Sequence, residues 1–125
     1  MKKDTPKKVF ERIYIYAGTV NTAEGWILVI HAMDALSEFV FEPVFNRKPV
    51  LTVDVLNELF DNALKDYNPI FHPRIINFVT NIPDEYNSLL KQTKAARHQF
   101  TFNKEATANA MHEFLSGLKY ETVAL

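Results

Sequence analysis

Residues 9–33, VFERIYIYAGTVNTAEGWILVIHAM, carry the pattern on which the fold depends. β-Branched and aromatic side chains dominate residues 9–20, and the NTAEG segment that follows has the composition of a turn. The WILVIHAM segment at residues 26–33 is almost continuously apolar, which is typical of a strand covered on both faces. Two such strands joined by a short turn predict a β-hairpin near the start of the chain.

A third strand and a helix are predicted next. The third strand is FVFEPVF at residues 39–45, where Pro43 indicates an edge position or the end of the strand. Residues 56–67 then change to the spacing of an amphipathic helix, which Thr52 is placed to cap and which ends before Asn68. The apolar face of this helix consists of Leu56, Leu59, Phe60, Ala63, Leu64 and Tyr67.

Strands and helices alternate in the second half of the chain. A fourth strand is predicted within residues 73–81, a helix opened by Pro83 follows, and QFTF at residues 99–102 is a short fifth strand. A closing helix begins after Asn103, and its apolar face holds Ala110, Met111, Phe114, Leu115 and Leu118. Crossover helices of this kind join parallel strands, so we expect an α/β fold with a five-stranded mixed sheet flanked by helices.

Length and composition favour one small intracellular domain. The chain has 125 residues, 47% of them hydrophobic, which is enough for a single core. We expect a basic N-terminal tail at residues 1–8, the domain at 9–120 and a C-terminal tail at 121–125. No apolar run reaches the roughly 18 residues of a membrane span, so we expect no membrane contact and a cytoplasmic location.

Several classes of chemistry lack the residues that they require. The chain has no cysteine for a disulfide or a thiolate metal site, and its net charge of -1 gives no global signature for nucleic acid. His31 lies in an apolar strand and is interpreted as a hydrogen-bonded core histidine. His112 and Glu113 are adjacent on a helix, so they point to different faces and do not form a helical zinc pair. Neither a glycine-rich phosphate loop nor a serine nucleophile elbow is present.

Three sequence segments together resemble the catalytic core of retroviral-type integrases and insertion-sequence transposases, which has a ribonuclease H-like fold. AEGWILVIHAMDALSEFVF at residues 23–41 is similar to that family's second and third strands. FVTNIPDEYNSLL at residues 78–90 is similar to its strand-to-helix segment, and NAMHEFLSGLK at residues 109–119 to its last helix. The resemblance covers roughly residues 9–119 and implies a core domain of a mobile genetic element that acts in DNA integration or transposition.

The resemblance also implies a site of two Asp and one Glu that binds divalent metal for phosphoryl transfer. Transferred one position at a time, the two Asp positions fall on Tyr16 and Asn81, and only Glu113 keeps a carboxylate; Pro83 replaces the family's glycine. One carboxylate and a neutral amide offer about one negative charge where that chemistry needs three. We therefore expect a catalytically degenerate core with no metal site and no cofactor. Mg²⁺ or Mn²⁺ is expected as a cofactor only if the site proves active.

Other acidic residues near these positions are expected to be structural. Asp34 lies roughly 13 Å along the hairpin from the Tyr16 position at about 3.3 Å per residue, which is too far for a ligand. It is interpreted as capping its turn or facing Arg12. Asp84 and Glu85 suit the first turn of a helix better than a relocated metal site.

The stretch KQTKAARHQFTFNK at residues 91–104 is the candidate DNA-binding segment. Its basic side chains can contact phosphates, and Phe100 or Phe102 can stack on bases, although the QFTF alternation favours core burial of at least one of the two. A solvated basic surface is the competing interpretation. The candidate DNA contacts are Lys91, Lys94, Arg97 and Lys104.

Three functions remain open from the sequence. The first is a degenerate core that acts in DNA association or self-association, with DNA and a second copy of the chain as partners. The second is a protein-interaction or dimerisation module without DNA contact. The third is an active nuclease, which requires an acid near Tyr16, yet no acid occurs between Arg12 and Ala23.

Overall fold

The computed structural model of the chain describes residues 5–125. Half of the basic tail expected at residues 1–8 therefore lies outside the described residues. Within the described residues, β1, β2 and β3 are followed by α1, β4, a 3₁₀ turn, α2, β5, α3, α4 and β6. Their bounds are β1 Arg12–Thr22, β2 Gly25–Asp34, β3 Val44–Asn46, α1 Val53–Ala63, β4 Asn77–Thr80, the 3₁₀ turn Asp84–Tyr86, α2 Asn87–Leu90, β5 Gln99–Phe102, α3 Lys104–Ala110, α4 His112–Ser116 and β6 Val123–Ala124.

The strands form one mixed open sheet in the order β3-β2-β1-β4-β5. The first three strands pair antiparallel, whereas β4 runs parallel to both β1 and β5. The prediction of an α/β fold with an antiparallel meander followed by parallel strands is confirmed. None of the helices within residues 5–125 is long and apolar enough to cross a membrane.

The number of strands was predicted wrongly, because the sheet has six strands and not five. The sixth, β6, lies in the segment expected to be a C-terminal tail and pairs antiparallel with β1 at Gly18 and Thr19. It occupies the edge of β1 beyond the point where β4 stops, since β4 pairs only with residues 12–15 of β1. Leu125 extends this pairing by donating its backbone N–H to the Ala17 carbonyl at 3.0 Å.

Other predicted boundaries shift for identifiable reasons. The third strand is shortened to β3, because Pro43 precedes it and residues 39–43 make only one isolated bridge, between Met33 and Val40. The closing helix is divided into α3 and α4, which meet at Met111. Both predicted caps are confirmed: the Thr52 hydroxyl accepts from the Val55 N–H at 3.2 Å, and the Asn103 side chain accepts from the Ala106 N–H at 3.0 Å.

Helices cover both faces of the sheet. On one face, the α1 side chain Phe60 packs edge-on against Phe78 of β4, with ring centroids 5.3 Å apart, in the main core. On the other face, Met111 at the junction of α3 and α4 packs on Tyr16 and Met33 in a smaller cluster. The residues that the resemblance singled out in β1 and in the closing helix therefore belong to this second face.

Candidate functional site

Asn81 lies where β4 ends, and its side chain continues the sheet. Its Oδ1 accepts from the Ala17 N–H at 2.8 Å, and its Nδ2 donates to the Ala17 carbonyl at 2.8 Å. The side chain thus pairs with both backbone groups of one β1 residue, as a strand residue would. Asn81 is only 2% exposed. Its amide oxygen and its amide nitrogen are both already hydrogen-bonded inside the protein.

Tyr16, at the other expected Asp position, is a packing residue. Its ring contacts Met33 and Met111 and is buried, and its hydroxyl accepts a hydrogen bond from the Thr122 Oγ1 at 3.2 Å. It pairs across the hairpin with His31, so Asp34 lies three residues farther along β2. That separation is roughly 10 Å at 3.3 Å per residue, which still excludes Asp34 as a ligand at Tyr16.

His31 lies beside Tyr16 and is 1% exposed. Its Nε2 is 3.3 Å from the Tyr120 hydroxyl, while its Nδ1 is a buried atom with no hydrogen-bond partner. Burial disfavours the charged imidazolium and lowers the His31 pKa to about 4. The interpretation as a hydrogen-bonded core histidine is therefore correct for one ring nitrogen and wrong for the other.

Glu113 lies at a cavity that is lined by neither Tyr16 nor Asn81. It is exposed in the first turn of α4 and lies on a cavity of about 410 Å³. The remaining lining residues are Met33, Glu38, Val40, Asn109, Ala110 and Phe114. Neither Tyr16 nor Asn81 belongs to that lining, so the structure does not bring the three positions together around one cavity.

These residues do not fit the divalent metal that the resemblance implies. Hard cations need several oxygen ligands with carboxylate charge, whereas the Asn81 amide is occupied by Ala17 and the Tyr16 hydroxyl by Thr122. Within residues 5–125, no three His, Cys, Asp or Glu side chains are grouped so that they can hold a metal ion. Of the three positions that the resemblance implies, only Glu113 has a carboxylate, and this side chain is exposed to solvent.

Asp34 is confirmed as the residue that organises its own turn. Its Oδ1 accepts from the Phe10 N–H at 2.8 Å, and its Oδ2 accepts from the N–H and the hydroxyl of Ser37, both at 2.9 Å. The Leu36 N–H is a further donor to Oδ2 at 3.2 Å. The carboxylate is fully buried, and these hydrogen bonds compensate for its loss of water.

The candidate DNA contacts divide into two pairs. Lys94 forms an ion pair with Asp61 at 2.5 Å, and Arg97 donates to the Arg74 carbonyl at 2.9 Å and to the Tyr67 hydroxyl at 3.4 Å. These two cations are thus already engaged with the protein. Lys91 and Lys104 are exposed, and in the described part of the chain their ammonium groups form neither an ion pair nor a hydrogen bond.

The two phenylalanines of QFTF have different environments. Phe100 packs against the core, with its ring stacked 5.2 Å from that of Phe78, whereas Phe102 is 44% exposed. Phe100 is half-buried, so the prediction of core burial for at least one of the two is confirmed only in part. Of the two rings, Phe102 is the more exposed.

Two apolar features were not predicted from the sequence. The first, the aromatic groove, is a cavity of about 350 Å³ whose apolar lining is Val9, Phe10, Phe39 and Phe41. The second, the apolar prong, consists of Ile70 and Phe71, which are 81% and 79% exposed. The turn composition of NPIFHP at residues 68–73 is a signal for the prong, because it places two large apolar residues inside a turn.

The fold defines the class of the protein as an α/β domain built on a mixed open sheet, with helices on both faces. Compared with protein-family models and with curated proteins, the sequence matches none of them.

Proposed function

We propose that this chain is a catalytically degenerate domain of the integrase and transposase core type, with a ribonuclease H-like fold, and that it acts by self-association. One observation carries the proposal: the two positions where that family needs aspartate hold residues whose polar groups are bound inside the protein. Asn81 is paired with the Ala17 backbone, and Tyr16 is buried beneath Met111. The domain would belong to a mobile genetic element.

The topology of the sheet supports the proposed relation to the integrase and transposase core. The sheet has an antiparallel meander at one end and two parallel strands at the other, with the first strand in the middle. Asn81 follows the fourth strand and lies beside the centre of the first, where a ligand pair in such a fold would meet. The two former Asp positions are thus neighbours, which supports the proposal, while their side chains lack the charge and Glu113 lies at a separate cavity.

The absence of the carboxylates is tested with supercoiled DNA and Mn²⁺. The wild-type chain is expected to leave the DNA intact, because one carboxylate at Glu113 cannot hold the metal ions of phosphoryl transfer. Nicking that is reproducible in the wild type and lost in Glu113→Gln would contradict the degenerate interpretation. The same chain with Glu85→Gln is the matched control, since Glu85 is an exposed acid outside the Glu113 cavity.

Self-association is favoured by the large apolar residues that the fold leaves exposed. Phe39 is 62% exposed, and the side chains of Ile70 and Phe71 lie almost wholly in solvent. Large exposed apolar side chains that lie together mark interaction sites. Sedimentation velocity at several concentrations is expected to show a concentration-dependent dimer without DNA, and a chain that remains monomeric would refute the proposal.

DNA association is the second candidate function, favoured by the free ammonium groups of Lys91 and Lys104 and by the exposed ring of Phe102. Ammonium groups contact phosphates, and an aromatic ring stacks on bases. Sedimentation with and without duplex DNA separates this function from a pure protein-interaction module. A dimer whose sedimentation does not change with DNA supports the module without DNA contact.

A further inference from the structure

The apolar prong and the aromatic groove lie side by side. The ring of His72, the residue next to the prong, is 4.7 Å from the ring of Phe10, which lines the groove. Tyr67 connects the two features again, with its ring 5.4 Å from Phe10 and 5.9 Å from His72. A projection and a recess therefore share one face of the domain.

The prong is held in place by a closed set of hydrogen bonds. The Asn68 side chain accepts from the Ile70 N–H at 2.9 Å, and the Asn68 carbonyl accepts from the N–H groups of Phe71 and His72 at 3.0 and 2.9 Å. The Asn68 N–H in turn donates to the His72 Nδ1 at 3.0 Å. Because the backbone of the turn is already ordered, little backbone entropy remains to be lost when its apolar side chains bind a partner.

The groove is shaped by backbone that is held in a sparsely populated conformation. Phe10 and Glu38 have φ angles of 67° and 60°, in the left-handed region that non-glycine residues rarely adopt. The hydrogen bonds of Asp34 to the Phe10 N–H and to Ser37 hold both ends of this arrangement. Strain of this kind persists where the surroundings enforce it, and it is concentrated at functional sites. Phe39 directly follows Glu38, and its ring lines the groove while it remains 62% exposed.

We propose that this face is the interface between two copies of the chain, with the prong of each copy seated in the aromatic groove of the other. A two-fold interface is self-complementary, so a projection and a matching recess must be neighbours on the same surface, as they are here. This inference rests on the proposed self-association and names the surface that carries it.

Charge at the edges of the two features agrees with this pairing. Asp66 lies on the rim of the groove, and Arg74 follows the prong closely along the chain. Both residues are exposed, and in residues 5–125 neither side chain forms an ion pair. In the two-fold arrangement, Arg74 of each copy faces Asp66 of the other, and the opposite charges fix the orientation of the pair.

Cross-linking tests the pairing directly, because the chain has no cysteine of its own. One copy carries Pro69→Cys, at an exposed position beside the prong, and the other Val9→Cys, and a short bismaleimide is added to the mixture. The expected product is a covalent dimer of the two different copies. The matched control replaces Val9→Cys with Val123→Cys, an exposed valine on β6 at the other end of β1, and is expected to give no dimer.

Sedimentation of substituted chains provides the energetic test. Ile70→Ser with Phe71→Ser is expected to raise the dimer Kd at least tenfold, whereas Val123→Ser leaves it unchanged. Asp66→Arg and Arg74→Asp are each expected to weaken the dimer several-fold, and the double variant is expected to recover most of the wild-type affinity. Recovery by the double variant is the result that a merely structural role of either residue would not give.

The outcomes separate this inference from the function on which it rests. A wild-type dimer that is unaffected by the prong substitutions, with no cross-link between positions 69 and 9, overturns the interface and leaves self-association standing. A wild-type chain that is monomeric at all concentrations overturns both. Circular dichroism of each variant confirms that a lost dimer is not a lost fold.

Discussion

The side chain of Asn81 acts as a strand residue opposite Ala17, with which it exchanges two hydrogen bonds of 2.8 Å. This pairing joins the end of β4 to the middle of β1. The next residues of β1 along the same edge pair with β6. The Ala17 carbonyl accepts from both Asn81 and Leu125, so the two segments meet at one atom. An uncharged amide is needed there, because one of its ends must donate and the other must accept.

Asn81→Asp is therefore expected to destabilise the fold rather than to restore a metal site. An ionised carboxylate would face the Ala17 carbonyl with no proton to donate, at a position that is 2% exposed. The expected loss is about 3 kcal/mol in the free energy of unfolding at pH 7, measured by urea denaturation. Asn87→Asp, at an exposed position, is the matched control and is expected to change the stability by less than about 0.5 kcal/mol.

The dependence on pH distinguishes this explanation from a general packing defect. Once protonated, the carboxyl group introduced by Asn81→Asp can donate to the Ala17 carbonyl, so the variant is expected to recover part of the loss between pH 7 and pH 4 relative to wild type. A deficit that is equal at both pH values would contradict the donor argument.

His31 is expected to make the wild-type protein less stable as the pH falls. The folded pKa of about 4 lies below the unfolded value of 6.5, so the unfolded chain binds the proton first as the pH decreases. The stability is complete above pH 6.5 and is lost progressively as the pH falls toward 4, by about 3 kcal/mol at most.

Urea denaturation of wild type and His31→Phe between pH 7 and pH 4 measures this effect. Phenylalanine keeps an aromatic ring beside Phe114, which lies 4.9 Å from the imidazole ring, and cannot bind a proton. The variant is therefore expected to show a smaller loss of stability over this range. Identical pH dependence in the two proteins would assign the effect to other groups.

Gly18→Ala is expected to displace β6. A Cβ atom at Gly18 would lie 2.9 Å from the Val123 carbonyl oxygen, closer than real contacts allow, and 3.1 Å from the Tyr16 ring, tighter than most real contacts. Because β6 has only two residues, we expect it to move rather than β1, at a cost of about 1–3 kcal/mol. Hydrogen exchange at the Leu125 amide, which donates to the Ala17 carbonyl, is expected to accelerate. Gly117→Ala is the control, since its nearest neighbours would be 3.6 Å away, and unchanged exchange in Gly18→Ala would contradict the prediction.

The sequence predicts those parts of the fold whose signals are local. The hairpin, the amphipathic face of α1, the caps at Thr52 and Asn103, and the parallel strands all follow from periodicity and from turn composition. β6 could not be predicted in this way. Two residues carry no period, and the partner of Val123 in the sheet is Thr19, which is distant along the chain.

The site depends on tertiary contacts that a sequence pattern does not contain. The sequence places Asn81 at the end of a strand, but its double hydrogen bond to Ala17 requires the parallel register of β1 and β4. The charge run at residues 91–104 likewise does not reveal that Lys94 is paired with Asp61, because Asp61 lies on α1, far away along the chain. Exposure of the apolar prong is also a property of the folded surface alone.

The basic stretch at residues 91–104 contains two lysines that are free to contact DNA, Lys91 and Lys104. If duplex DNA is bound through residues 91–104, the free ammonium groups of Lys91 and Lys104 are expected to contribute most of the phosphate contacts. Lys91→Ala with Lys104→Ala is therefore expected to reduce the slope of log K against log salt by about 2, one for each lost contact. Fluorescence anisotropy with a labelled duplex at several salt concentrations measures this slope.

Lys94→Ala is the matched control within the same segment. Its ion pair with Asp61 is exposed at both ends, 51% and 58%, so its loss is expected to change the stability by less than about 0.5 kcal/mol. We also expect a smaller effect on the salt slope than that of Lys91→Ala alone, because the Lys94 ammonium must leave Asp61 to reach a phosphate. Equal effects of all the lysine substitutions would show that binding is diffuse and that the contacts in the folded domain do not select the DNA-binding cations.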